Sequence, residues 1–167
     1  HLAQEDFAGR CFSKIIVSPS DPQTLFAAVT RAGGFPEMAA AKGHPLATGP
    51  VGVFRSDDGG VSWTQLAGLP TLSAADLAMD PADPDTLYAA IGHIFGDPDN
   101  GIYKSTDGGL SWSRLTSGLP TNWSLQGRIS VAVAPSLPSR VYALITVRAS
   151  ATGGGASVRG FYRSDDG

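Results

Sequence analysis

Ser56-Asp57-Asp58-Gly59-Gly60-Val61-Ser62-Trp63 is matched further along the chain by Ser105-Thr106-Asp107-Gly108-Gly109-Leu110-Ser111-Trp112. Ser164-Asp165-Asp166-Gly167 begins the pattern a third time. The lead-ins match as well: Gly52-Val53-Phe54-Arg55, Gly101-Ile102-Tyr103-Lys104 and Gly160-Phe161-Tyr162-Arg163. A self-repeat of this length marks a repeat architecture, in which each copy is one supersecondary unit stacked on its neighbours.

A second element recurs in step with the first. Residues 15–29 read IIVSPSDPQTLFAAV, residues 77–91 read LAMDPADPDTLYAAI, and residues 131–145 read VAVAPSLPSRVYALI. Each is an apolar run of strand length, a turn with two prolines, and a second apolar run. Proline fixes φ and removes a donor, so Pro19/Pro22, Pro81/Pro84 and Pro135/Pro138 cannot lie inside paired strands and mark tight links between neighbours. The unit is strand, Pro turn, strand, variable loop, strand, Asp-Gly turn, strand. Four short antiparallel strands fit one propeller blade.

The predicted fold is therefore all-β: a β-propeller of four-stranded antiparallel blades, with about three blades present. Residues 1–167 form a single partial propeller, with blade one at about 9–70, blade two at about 71–120 and blade three at about 121–167. The third lacks its fourth strand. Propellers have roughly four to eight blades, and an open arc leaves apolar faces exposed. The arc is expected to belong to a larger propeller. The other reading is closure by self-association or against another subunit, with residues 1–8 adding an outer strand or staying disordered.

The Asp-Gly turn resembles the Asp-box, or BNR repeat, Ser/Thr-x-Asp-x-Gly-x-Ser/Thr-Trp, which joins the third and fourth strands of blades in sialidase-like, xyloglucanase-like and sortilin-like propellers and in a photosystem II assembly factor. With the Pro-turn element, the resemblance covers nearly everything from Ile15 onward. It implies that Ser56, Asp58, Gly60, Trp63, Ser105, Asp107, Gly109, Trp112, Ser164 and Asp166 are structural, on the end opposite the ligand. The residues agree. Asp58 and Asp107 can accept main-chain N–H groups of their own turns. Gly60 and Gly109 suit positions where a Cβ would clash, and Trp63 and Trp112 should bury against an adjoining sheet.

All the length variation falls between the second and third strands, at about 31–50, 92–100 and 148–159. Loops that vary on a fixed scaffold are where function sits. Arg10 and Arg128 each follow a glycine just before a first strand, and two arginines at a channel mouth can clamp a carboxylate. Pairing with nearby acids or carbonyls is the plainer role for them, and Asp76, in a related spot, is a candidate partner. Glu37 is the acid of the first loop. Trp123 can stack on a sugar or pack in the core, and packing is favoured. Phe35, Pro36, Met38 and Pro45 make the first loop apolar enough for a contact surface.

A retaining or inverting glycosidase needs two carboxyl groups at a defined separation across the sugar. Glu37, Asp97 and Asp99 are the loop acids on offer, and Gly96-Asp97-Pro98-Asp99-Asn100-Gly101 reads first as a turn. The sialidase comparison is the more specific test. Gly9-Arg10-Cys11-Phe12 and Gly127-Arg128-Ile129-Ser130 resemble the Arg-Ile-Pro segment of that family, but neither arginine pair is followed by proline. The Tyr-Glu nucleophile pair and further arginines of that family are not in this chain. The expected function is a scaffold that binds a protein or a glycan through the strand two–three loops. The alternative is part of an extracytoplasmic glycoside hydrolase, sialidase-like or xyloglucanase-like. The resemblance suggests a secreted, periplasmic or luminal protein.

Composition narrows the remaining classes. Glycine (21 residues) and proline (12) supply turn chemistry, charged residues make up only 16%, and the net charge of −3 offers no basic footprint for nucleic acid. No run approaches the roughly 18 apolar residues of a membrane span. Cys11 is the sole cysteine, so no internal disulfide forms, and the thiol is expected in the core. His1, His44 and His93 show no metal-ligand spacing, so no metal and no cofactor are expected. Gly153-Gly154-Gly155 lacks the Lys-Ser/Thr of a phosphate loop. Asn122-Trp123-Ser124 fits the N-glycosylation triplet, a pattern common by chance.

Overall fold

The computed structural model describes residues 7, 10–31, 50–150 and 157–167. They form three antiparallel sheets. The first comprises β1 (Arg10–Val17), β2 (Leu25–Arg31), β3 (Gly52–Ser56) and β4 (Thr64–Gln65), in that spatial order. The second repeats it with β5 (Ala74–Met79), β6 (Leu87–Ile91), β7 (Gly101–Ser105) and β8 (Ser113–Arg114). The third holds β9 (Gln126–Val133), β10 (Val141–Val147) and β11 (Val158–Ser164), ordered β11-β10-β9. Three sheets in which consecutive strands are neighbours, stacked face to face, are the propeller arc expected from the repeats.

The sequence of β6 shows why the sheets stack. Leu-Tyr-Ala-Ala-Ile is buried at every position, which a sheet covered on both faces requires. Side chains alternate along a strand. Leu87, Ala89 and Ile91 accordingly join Phe26, Ala28 and Val53 of the first sheet in one cluster. Tyr88 and Ala90 join Ile129, Val131, Val141, Ala143 and Ile145 of the third in another. Small residues at Ala89 and Ala90 let both neighbours approach closely.

The inner strands are tied across the sheets by side chains at irregular positions. The β1–β2 register shifts between Phe12 and Lys14, and Ser13 at that shift donates to the Ala74 carbonyl of β5 at 2.6 Å. Asp76 follows a similar shift in β5 and accepts the Val131 N–H of β9 at 3.1 Å. In β1 the residue skipped by the ladder, Ser13, serves the next sheet itself, whereas in β5 it is Asp76, paired with Ala90 just after the shift. The half-buried Cys11 sits on β1 beside this seam, more exposed than the core placement expected of it.

The turns at the opposite end are built almost identically. Ser56 Oγ accepts the Gly60 N–H at 2.8 Å and donates to Asp58 Oδ1 at 2.8 Å. Asp58 in turn accepts the Ser62 N–H at 2.9 Å and hydroxyl at 2.6 Å. Ser105, Asp107, Gly109 and Ser111 repeat these bonds at 2.5–2.9 Å. The Trp63 and Trp112 indoles donate back to the Gly60 and Gly109 carbonyls at 3.1 and 3.0 Å. Chiefly through the Ser62 and Ser111 bonds, Asp58 and Asp107 are held at about 2, below the ordinary 3.8. Each turn also docks on the Pro turn of its own sheet, Gly59 N–H to the Gln23 carbonyl and Gly108 N–H to the Asp85 carbonyl, both at 2.9 Å.

Neighbouring sheets are pinned at this end too. Arg55 lies over the Phe26 ring and reaches the Gly108 carbonyl of the next turn at 3.2 Å. Lys104 lies over the Tyr88 ring and reaches the Gly167 carbonyl at 2.9 Å. On the outer face of the first sheet, Phe7 packs edge-on against Phe12, Phe54 and Trp63.

Candidate functional site

The end away from the Asp-Gly turns carries the starts of β1, β5 and β9 and the links between second and third strands. In the first sheet that link, with Glu37, Phe35, Pro36, Met38, His44 and Pro45, lies outside the described residues, as does His1. In the second sheet, residues 92–100 form a rim loop whose geometry is defined throughout.

Asn100 organises this loop. Its side chain is fully buried and makes three hydrogen bonds. Oδ1 accepts the His93 N–H at 2.6 Å, and Nδ2 donates to the His93 carbonyl at 3.0 Å and to the Gln126 carbonyl at 2.8 Å. The first two close the loop, and the third fastens it to the third sheet. The Gly92 N–H reaches the Ser73 carbonyl, and Ala149 N–H reaches the Ile94 carbonyl. Gly96, at φ +87°, lies so close to Ser124 that a Cβ there would overlap the Ser124 carbonyl oxygen. Arg114 covers the loop from β8, donating through Nη2 to the Pro98 carbonyl at 2.9 Å and to the Asn100 carbonyl. Gln65, at the corresponding place in the first sheet, makes the matching bond to the Val51 carbonyl at 2.8 Å.

The fixed loop presents a small group of side chains. His93 and Phe95 are half-buried with ring centroids 5.6 Å apart. Asp97 is half-buried and Asp99 exposed, and the Asp97 carboxylate accepts the Asp99 N–H at 2.9 Å. Tyr103 donates to the Asp99 carbonyl at 2.9 Å. Burial pushes its phenol above the ordinary value; Arg114 opposes this, and Asp99 and Asp97 reinforce it. Asp97 and Asp99 belong to one short turn, whereas a glycosidase places its two carboxyl groups on opposite sides of the scissile bond.

The residues singled out in the sequence are distributed around this rim. Arg10 opens β1 and donates from Nε to the Pro50 carbonyl at 3.1 Å, a carbonyl partner of the plainer kind. Arg128 is exposed on β9. Asp76 is a tie between inner strands: its two oxygens accept the Leu77 and Val131 N–H groups. Trp123 is buried in a 3-10 turn (Trp123–Leu125), packed in the second core cluster with the Arg114 guanidinium 5.3 Å above its ring. Sequence reasoning passed over Asn100, Arg114 and Phe95. Asn100 stands just before the repeated Gly101-Ile102-Tyr103-Lys104, and that position was the available signal. Among the described residues no group of three or more His, Cys, Asp or Glu side chains could hold a metal ion. None of the described helices is long and apolar enough to cross a membrane.

No protein-family model matches the chain, and no curated protein does. Solved structures do share its fold. The chain is similar to the GH74 xyloglucanase of Xanthomonas campestris (TM-score 0.59, 21% identity), covering 96% of this chain and 22% of that one. It is similar to the GH74 enzyme of Niastella koreensis (TM-score 0.56, 20% identity, 97% and 22% covered). It is also similar to an ancestral GH74 enzyme (TM-score 0.58, 19% identity, 92% and 20% covered). The chain thus spans about one fifth of the length of each. At this identity the likeness is one of fold, and the fold is that of β-propeller blades.

Proposed function

We propose that the chain is an arc of an Asp-box propeller of the glycoside-hydrolase kind, with each sheet one blade, and that its rim loops bind carbohydrate. The blades follow the repeat, at about 9–70, 71–120 and 121–167. The observation that carries the reading is the rim loop 92–100, held rigid by the buried Asn100 while it offers Phe95 beside Asp97 and Asp99. An aromatic ring can stack on the apolar face of a sugar, and neighbouring carboxylates can take its hydroxyl hydrogen bonds. The likeness to GH74 folds supports a carbohydrate over a protein ligand. The second blade would position the sugar, and a carboxylate pair facing it across the channel would come from loops of other blades, with Glu37 of the first blade a candidate member. Arg10 and Arg128 would line the same rim. An exported protein suits a polysaccharide substrate.

The test is calorimetric titration of the chain with a xyloglucan oligosaccharide, repeated with Phe95→Ala and Asp97→Asn. Saturable binding that each substitution weakens by about tenfold is the expected result, the scale of one lost stacking or charged hydrogen-bond contact. Binding unaffected by both substitutions, or no binding, would remove the rim loop from the reading.

A further inference from the structure

Charge is distributed unevenly along the chain. Between Asp107 and Asp165 there is no Asp or Glu, and the same stretch holds six arginines and no lysine. Two of the six are neutralised at the Asp-Gly end, where Arg140 and Arg163 pair with Asp165 at 2.7 and 2.9 Å. Arg114 is held on the Pro98 and Asn100 carbonyls. Arg128, Arg148 and Arg159 remain. All three are exposed, and none forms an ion pair with a carboxylate among the described residues.

These three stand in one row at the rim end of the third sheet. Arg148 directly follows β10. Arg128 is on β9, where the ladder with β10 shifts between Ile145 and Val147, and its carbonyl accepts the Thr146 hydroxyl at 3.2 Å. Arg159 is the residue of β11 skipped where the ladder shifts between Ile145 and Thr146. Irregularities of this kind re-aim side chains out of the regular ladder.

Arg148 is the member of the row that meets the second sheet. Its Cδ lies 3.0 Å from where a Cβ on Gly96 would stand, and its Cα lies 3.0 Å from where one on Gly127 would stand. The main chain there is fixed on both sides, by the Arg148 N–H on the Leu125 carbonyl at 3.0 Å and the Ala149 N–H on the Ile94 carbonyl at 2.8 Å. The side chain thus lies at the seam between the second and third sheets, internal to the arc. Phe95 adjoins Gly96 in the chain, so its ring and the Arg148 guanidinium border the same stretch of rim. Asp97 adjoins Gly96 on the other side and forms no ion pair with Arg148.

Resting on the carbohydrate reading of the rim loop, we propose that Arg148, with Arg128 on the neighbouring strand, is a subsite for the carboxylate of a uronic acid, so that the glycan taken at this rim is an acidic one. A guanidinium offers a planar fork of N–H donors that matches a carboxylate through two parallel bonds, which an ammonium group cannot do. No ion pair has to break before a ligand carboxylate is taken up, so its charged hydrogen bonds are gained without an offsetting loss within the protein.

Calorimetric titration with trigalacturonate and with its methyl ester, the same sugar chain without the charge, provides the test. The acid should bind about tenfold more tightly than the ester, the scale of one charged hydrogen-bonded contact, and raised salt should narrow that gap. Arg148→Gln should bring the ratio close to one. Arg148→Lys keeps the charge and loses the fork, so it should leave the ratio in between. Phe95→Ala should weaken both ligands and leave the ratio as it was. Equal binding of acid and ester, or a preference that Arg148→Gln leaves intact, would overturn the subsite while the rim-loop reading still stands on the xyloglucan titration. A preference that requires Arg148, with neither ligand weakened by Phe95→Ala, would uphold the subsite and remove Phe95 from the rim-loop reading. No saturable binding of the acid would overturn the subsite as well.

Discussion

Asn100→Ala should loosen the rim loop and destabilise the chain together. The residue is 0% exposed, so water does not replace what the substitution removes. Three hydrogen bonds are lost, and the His93 N–H and the Gln126 carbonyl lose their Asn100 partner, while the His93 carbonyl keeps the Gly96 N–H at 3.0 Å. A net of about 0.5–1.5 kcal/mol per bond, with the added cost of buried groups left unpaired, gives about 2–4 kcal/mol. For a chain of this size that is a fall in Tm of about 5–15 °C. Thermal unfolding by circular dichroism measures it, and hydrogen exchange at residues 93–100 reads the loop directly. Asn100→Asp sharpens the test. It keeps the acceptor for His93 but turns a carboxylate oxygen toward two carbonyls, so it should be worse than alanine at pH 7. Burial and those carbonyls raise the pKa of the introduced carboxyl. Its neutral form regains a donor, so the gap to alanine should narrow as pH falls. A Tm loss below about 2 °C for Asn100→Ala, with unchanged exchange in the loop, would refute the organising role of Asn100.

Three further outcomes test the opposite end. Ser105→Ala removes the acceptor of the buried Gly109 N–H and should cost about 1–3 kcal/mol in urea unfolding. Gly109→Ala places a Cβ 2.6 Å from Leu66 Cδ1 at φ +88°, whereas Gly118→Ala meets nothing within 4 Å at φ +69°; the first should cost about 2–4 kcal/mol and the second about 1 kcal/mol. Asp58 and Asp107 titrate at about 2 in the folded chain against an ordinary 3.8, so their contribution is complete above pH 4 and lost as pH falls through 2. Asp107→Asn should therefore flatten the loss of stability between pH 4 and 2, read from urea midpoints across that range.

The architecture was legible because it is periodic. The Asp-Gly turns and Pro turns recur at matched offsets, and the alternation within Leu87–Ile91 supplies both faces of the middle sheet. The rim was far less legible, for a physical reason. Its organising residues act between elements distant in sequence, and each occurs once. Asn100 reaches Gln126 across a sheet boundary, yet Val51 holds its place in the first repeat. Asp76 shares a ladder position with Lys14 and Ser130, each facing the second strand of its sheet, so the pattern there predicts no common role. Phe7 lies outside the repeat, and its packing on Trp63 becomes visible only in three dimensions.

Periodic and unrepeated residues thus divide the molecule by end. At the Asp-Gly end each of the first two turns is bonded to itself, to its own Pro turn and, through Arg55 or Lys104 of its sheet, to the next sheet. Those bonds use main-chain atoms and small side chains, so they tolerate wide variation elsewhere and can be copied from blade to blade. At the rim of the first two sheets, one side chain of the fourth strand bonds the residue just before the third strand, Gln65 to the Val51 carbonyl and Arg114 to the Asn100 carbonyl. The turns that hold the sheets together thus lie away from the rim, where a buried tie such as Asn100 couples the order of its loop to the stability of the chain.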